Sequence, residues 1–238
     1  MTRAIIMAGG QGTRLRPYTA VLPKPLMPVG DRPVLDIVVR QLRAAGVARI
    51  TIATGYLAGL IEAFFRDGSD YDIPIDYFRE HEPLGTVGAL AHIGGLDAPF
   101  LVMNGDVLTD MDYAAFIRDH VAGGAAATIA STRRNVNISL GVMEFGDGDA
   151  PERVTGYIEK PTHVYEVSMG VYCLDPRVLG HIEAPLDFPD LILRLLERGE
   201  RVEAWRPDAY WLDLGRHDDY EKAMDEFESV RHRLLPDE

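Results

Sequence analysis

Cysteine is nearly missing from this 238-residue chain: Cys173 stands alone. A single thiol excludes an internal disulfide and a thiolate metal cluster. No stretch approaches the roughly 18 apolar residues of a membrane span. The opening MTRAIIMAGG reaches glycine too early for a signal peptide. A cytoplasmic location with no membrane partner is therefore expected. Positive charge is also short. The net charge is −13, which argues against non-specific nucleic-acid binding. Lysine is the scarcest cation, with Lys24, Lys160 and Lys222 set against 21 arginines. Where arginine serves almost everywhere, a retained lysine marks a place that needs a compact, mobile ammonium. Lys24 and Lys160 each precede a proline and are biased toward extended backbone. Lys222 lies in a polar helical stretch and reads as surface.

The acidic balance is not uniform. Residues 1–49 hold eight basic side chains and two acidic ones. Such a segment can hold a small polyanion, although Arg40, Arg43 and Arg49 read as a solvated helix face. The composition is 47% hydrophobic and 26% charged, ordinary for a soluble globular protein. The length suits one large α/β domain.

Short apolar strands are expected at Ala4–Met7, Ile50–Ala53, Ile75–Phe78 and Phe100–Met103. Helices are expected from Pro33 to the stop at Gly46, at Leu57–Arg66, at Gly88–Ile93 and at Asp112–Val121. This alternation predicts a Rossmann-like, mostly parallel sheet with helices on both faces, whose ligands sit beyond the carboxyl ends of the strands. After residue 124 the pattern changes. Ala125–Ser131, Gly141–Phe145, Val154–Glu159 and Val167–Leu174 read as antiparallel additions to the sheet, followed by helices at Leu191–Glu197 and Tyr220–Val230. No hexapeptide pattern follows residue 200, so a β-helical domain is not expected. The whole of 1–238 reads as one domain.

The strongest local signal is Gly9-Gly10-Gln11-Gly12-Thr13-Arg14 after the first strand, followed by Pro23-Lys24-Pro25. Glycines there let backbone N–H groups approach phosphate oxygens closely. Arg14 can grip phosphate with its planar fork, and Lys24 can supply a point charge. A Walker loop would need Gly-Lys-Ser/Thr, which is absent. A dinucleotide fold would want an acid ending the second strand, where Thr54-Gly55-Tyr56 stands instead. A tight turn explains the glycines but not the polar residues beside them. Asn104-Gly105-Asp106 closes an apolar strand and is either a turn or a magnesium site. Asp213, within Tyr210-Trp211-Leu212-Asp213-Leu214-Gly215, is the second carboxylate for that site. Glu159-Lys160-Pro161 ends another strand and reads as a sugar-phosphate contact or as a plain surface pair. No histidine falls in any of these motifs; His81, His92 and His217 read as structural or surface residues.

Gly9–Pro25, Asn104–Asp106, Tyr157–Pro161 and Trp211–Gly215, in this order, resemble the sugar-phosphate nucleotidyltransferases over essentially the whole chain. The resemblance implies that about 1–124 bind a nucleoside triphosphate and about 125–238 a sugar 1-phosphate. It implies that Ala8, Gly9, Gly10, Gly12, Thr13 and Arg14 cradle the triphosphate, with Asn104 beside the nucleotide, and that Lys24 contacts the reacting phosphates. It implies that Asp106 and Asp213 bind Mg²⁺, and that Gly141, Glu159 and Lys160 hold the sugar and its phosphate. Ser168 stands where many members have an asparagine that contacts the sugar. Glu82–Leu90, with Gly85 and Thr86, matches the base-binding loop and looks like guanylyltransferases for mannose- or heptose-type 1-phosphates. The glutamine with which pyrimidine enzymes commonly read their base is missing from it. GTP and a sugar 1-phosphate are the expected partners. A homo-oligomer is neither named nor excluded. A non-catalytic relative should have lost a phosphate cation or a metal acid, yet Arg14, Lys24, Asp106 and Asp213 are all present. A cyclitol or amino-sugar phosphate, or phosphocholine, is the rival acceptor.

Overall fold

A computed structural model describes residues 2–146 and 152–236. The first strand, β1 (Arg3–Ala8), buries Ala4, Ile6 and Ala8 on one face of a sheet and Ile5 on the other. Burial on both faces is the mark of a parallel strand covered by helices. A two-residue hairpin, β2 (Pro28–Val29) and β3 (Arg32–Pro33), leads into α1 (Val34–Ala44). The first half continues through β4 (Arg49–Thr54), α2 (Ala58–Phe65), β5 (Ile75–Arg79), β6 (Phe100–Asn104), β7 (Val107–Thr109) and α3 (Tyr113–Gly123). The second half comprises β8 (Ala127–Asn137), β9 (Gly141–Phe145), β10 (Val154–Glu159), β11 (Thr162–Leu174), α4 (Phe188–Glu197), β12 (Val202–Trp205), β13 (Trp211–Asp213) and α5 (His217–Leu234).

Seven strands form the central sheet in the order β12-β8-β11-β6-β1-β4-β5. Every neighbouring pair is parallel except the two that involve β11, so β11 alone runs against the others. The expected α/β class and mostly parallel sheet hold. The antiparallel character of the second half differs in detail. β8 points the same way as β1 because β11 is reversed between it and β6. Among the described residues β9 and β10 pair only with each other, as a ribbon separate from the central sheet. The Gly88–Ile93 helix is one 3₁₀ turn, Gly88–Ala91, too short to complete α-helical hydrogen bonding.

Leu35, Val38, Val39 and Leu42 of α1, Ile61 and Phe65 of α2 and Phe116 of α3 pack on one face of the sheet. The 3₁₀ turn and Leu191 and Leu195 of α4 pack on the other. Val34 and Ile37, on the outer side of α1, meet Phe227 and Leu234 of α5 over Leu108 and Leu212. Arg43 and Arg49, expected on a solvated face, pair there with Asp72 and Asp76. Arg40 reaches Asp36 and lies over the Tyr71 ring. Among the described residues no helix is long and apolar enough to cross a membrane.

The chain leaves β1 toward β4 and β5 on one side and returns through β6 on the other. That reversal opens a crevice beyond the carboxyl ends of β1 and β6.

Candidate active site

The loop that leaves β1 lies at this crevice. Gly12 has φ of 60°, in the left-handed region. A Cβ built on it would lie 2.9 Å from Thr19 Cγ2 and 3.2 Å from Lys24 Cβ. Only glycine both adopts that turn and leaves room for the Lys24 stem. The Thr19 hydroxyl donates to the Gly12 carbonyl at 2.8 Å and fixes the turn. Lys24, flanked by Pro23 and Pro25, is thereby brought back over the loop.

The Lys24 ammonium forms an ion pair with Asp106 and lies 4.0 Å from Asp213 Oδ1. The two acids are 107 positions apart in sequence and meet through a short ladder. β7 pairs antiparallel with β13, setting Asp213 opposite Val107. The Leu214 N–H donates to the Asp106 carbonyl at 3.2 Å and carries the pairing one step further. The Asp213 carboxyl is pushed up, first by burial and then by the Asp106 charge, with Lys24 and Arg14 opposing. Two carboxylates crowded around one ammonium suit a further cation. Their oxygens are the hard donors that magnesium takes one or two at a time, leaving other positions for phosphate and water. Among the described residues no group of three or more acidic, histidine or cysteine side chains is poised to hold a metal. The pair therefore fits a cation completed by a bound phosphate, not a closed protein site.

A cavity of about 870 Å³ joins these parts, within the range of small-molecule clefts. Ala8, Gly9, Gly10, Gly12, Thr13, Arg14, Lys24, Gly85, Thr86, Asn104, Asp106 and Asp213 all line it. Gly85 has φ of 79°, and a Cβ there would lie 2.3 Å from the Leu186 carbonyl oxygen. The turn Leu84–Val87 is thus pressed against the segment that leads into α4.

The remaining expected site residues sit elsewhere. None of Gly141, Glu159, Lys160 and Ser168 is among the described residues that line the cavity. Glu159 and Lys160 stand exposed where β10 ends, 4.0 Å apart, with Lys160 at φ of 47°. Gly141 lies opposite Glu159 in the ribbon, and the Tyr157 hydroxyl occupies the space a Cβ would need. The Ser168 hydroxyl is already engaged. It donates to Tyr172 Oη at 3.0 Å and accepts from the Gly170 N–H at 3.2 Å, shaping an irregularity in β11. That bend brings Gly170 against the Asn104 amide. Lys222 pairs with Glu226 on exposed α5, as a surface lysine should.

Glu80 falls in none of the motifs above, and His81 reads in sequence as a structural or surface residue. Both line the cavity. Glu80 directly follows β5 (Ile75–Arg79), so the carboxyl-end rule that marked Gly9 and Asp106 also points to it. Burial pushes the Glu80 carboxyl up, opposed by a hydrogen bond from the Leu84 N–H. The Gly9 position has only 3.0 Å between a built Cβ and Glu80 Oε1.

Residues 3–230 match the family model described as nucleotidyl transferase. The chain is 33% identical over 226 residues to a mannose-1-phosphate guanyltransferase of Candida albicans, covering 92% of this chain and 62% of the relative. It is 31% identical over 244 residues to a UTP--glucose-1-phosphate uridylyltransferase of a Synechocystis species, covering 93% and 62%. The chain thus spans about 62% of the length of these curated relatives. Among solved structures, HddC from Yersinia pseudotuberculosis complexed with GMP-PN superposes with a TM-score of 0.72 at 26% identity, over 95% of this chain and all of that one. The glycine loop, the paired acids and these likenesses lead to one statement: the chain belongs to the nucleotidyl transferase family.

Proposed function

We propose that the chain transfers a nucleoside monophosphate from GTP to a mannose- or heptose-type sugar 1-phosphate and releases pyrophosphate. The carrying observation is the Lys24 ammonium set between Asp106 and Asp213 beside the glycine loop. A phosphate oxygen of the sugar 1-phosphate attacks the α-phosphorus, and the bond to the bridging oxygen of the β-phosphate breaks. A phosphate dianion is already a nucleophile, so no general base is needed, in keeping with motifs that hold no histidine. Positioning and charge neutralisation carry the rate. The glycine-loop N–H groups and Arg14 hold the triphosphate, and Lys24 faces the reacting phosphate. Asp106 and Asp213 would hold Mg²⁺, which when bound neutralises phosphate oxygens as pyrophosphate leaves.

Glu80 favours guanine. Guanine offers two adjacent donors, N1–H and the N2 amino group, and a carboxylate can accept both. Uracil and thymine offer one N–H between two carbonyls that repel a carboxylate. The guanyltransferase relative and the GMP-PN complex point the same way, while the uridylyltransferase relative keeps the pyrimidine reading as the rival. Steady-state competition at fixed sugar 1-phosphate is expected to give GTP a kcat/KM at least about tenfold above UTP and dTTP. Glu80→Gln is expected to lower the GTP value by roughly 10- to 100-fold, the worth of a hydrogen bond to a charged group. A pyrimidine triphosphate preferred by the unaltered chain would overturn the base assignment and leave the reaction class standing.

Glu159 and Lys160 are proposed as contacts of the sugar 1-phosphate. Lys160→Ala is expected to raise KM for that substrate by about 10- to 100-fold and to leave KM for the nucleotide unchanged, again the scale of one charge-assisted hydrogen bond. Two-substrate kinetics decide whether the ribbon end reaches the bound phosphate. An effect on the nucleotide instead would reverse the placement of the two substrates.

A further inference from the structure

Three acidic residues stand at the N-caps of helical segments, where aspartate ordinarily accepts from the helix's own first-turn N–H groups. Asp112 does so for α3, accepting from the Ala115 N–H at 2.8 Å. Asp175 does so for the 3₁₀ helix Pro176–His181, accepting from the Arg177 N–H at 3.0 Å. Asp187 occupies the same place before α4 but makes no side-chain bond to its own helix. Its carboxylate accepts instead from the Thr86 N–H at 2.8 Å, 101 positions away.

That bond is one of four across the same seam. The Val87 N–H donates to the Leu186 carbonyl at 3.0 Å, and the Leu186 N–H donates to the Leu84 carbonyl at 2.9 Å. The Phe188 N–H donates to the Thr86 hydroxyl at 2.9 Å. Gly85 packs directly on the Leu186 carbonyl. Phe188 is itself fixed by stacking on Tyr172, with ring centroids 3.8 Å apart and planes 6° apart. The cavity turn that carries Gly85 and Thr86 is therefore held from behind by residues that do not line the cavity.

We propose that Asp187 is a positioning residue for the nucleotide: diverted from capping α4, it fixes the turn Leu84–Val87 against which the base of a nucleoside triphosphate rests. The proposal rests on the reading of this cavity as a nucleotide site. A helix that forgoes its own cap gives Asp187 little role in α4. Truncating the side chain then loosens the turn, and binding must supply the ordering that the carboxylate now provides.

The test is calorimetric titration of GTP, with Mg²⁺ present, into the unaltered chain, Asp187→Ala and Asp187→Asn, alongside two-substrate kinetics and thermal melts. Asp187→Ala is expected to weaken GTP binding about tenfold, which corresponds to about 1.4 kcal/mol for one hydrogen bond to a carboxylate. KM for the sugar 1-phosphate and the melting temperature should stay unchanged. Asp187→Asn keeps an accepting oxygen and should restore most of the affinity. Unaltered GTP binding in Asp187→Ala would overturn the inference alone. So would an Asn variant as weak as the Ala variant, or a melting temperature that falls with both KM values rising. A wild-type chain that binds no nucleoside triphosphate would overturn the inference together with the functional reading beneath it.

Discussion

Asp106→Asn is expected to lower turnover at least about a hundredfold while leaving the fold intact, and Asp213→Asn is expected to do the same. The scale is that of removing one group aimed at charge which develops in a transition state. Asparagine keeps the shape of each side chain and removes its charge, so the loss isolates electrostatics. Both positions should tolerate the change structurally. Asp213 is set by the backbone ladder between β13 and β7, not by its carboxylate, and Leu214 bonds to the Asp106 carbonyl, not to its side chain. Asp213→Asn also removes a charge that burial and the neighbouring Asp106 both disfavour, so a gain in thermal stability is compatible with the loss of rate. Activity should likewise vanish with a chelator and return with Mg²⁺. Initial rates for the two variants across a magnesium titration make the check. Near-normal turnover in either variant would remove that residue from the metal site.

Lys24→Ala should reduce kcat by a similar factor, about 10²–10³-fold, and change KM for either substrate far less. An interaction stronger in the transition state than in the ground state appears in kcat. Lys24 is placed for that role. Its Cβ lies 3.2 Å from where a Gly12 Cβ would stand, and its ammonium pairs with Asp106. Lys24→Arg is not expected to rescue, because a planar guanidinium on a longer stem does not replace a compact ammonium in that space. Lys222→Ala, on the exposed face of α5, should be silent. Single-turnover rates on the three variants separate these outcomes. A Lys222 variant as slow as the Lys24 variant would mean that scarcity of lysine singled out the wrong residues.

Much of this arrangement was legible in the residues themselves. Apolar runs bounded by glycine gave β1, β4 and β6, because a strand buried on both faces needs near-continuous apolar sequence. The glycine loop and Asp106 were placed at one edge by the rule that ligands sit beyond strand carboxyl ends. The elements without a local signal are short or paired over long range. β12 (Val202–Trp205) holds a glutamate and only four residues, too few for a period to emerge. The β7–β13 ladder pairs three residues with three across about a hundred positions, and no local pattern announces such a partner. Glu80 is hidden for a different reason: it lies in no recognisable motif, although its place just after β5 obeys the same rule as Asp106. Ser168, which the resemblance places against the sugar, bonds instead to Tyr172 and Gly170, an engagement that depends on the bend in β11 and has no local signal.

The proposed reaction is a displacement at the α-phosphorus that joins two phosphates. Its most direct test is product stoichiometry with α-labelled GTP and a panel of mannose- and heptose-type 1-phosphates. Magnesium-dependent formation of a labelled nucleotide sugar, with one pyrophosphate released per molecule formed, is the expected result. Pyrophosphate absent from every pairing, with a nucleotide sugar bound but never made, would contradict it.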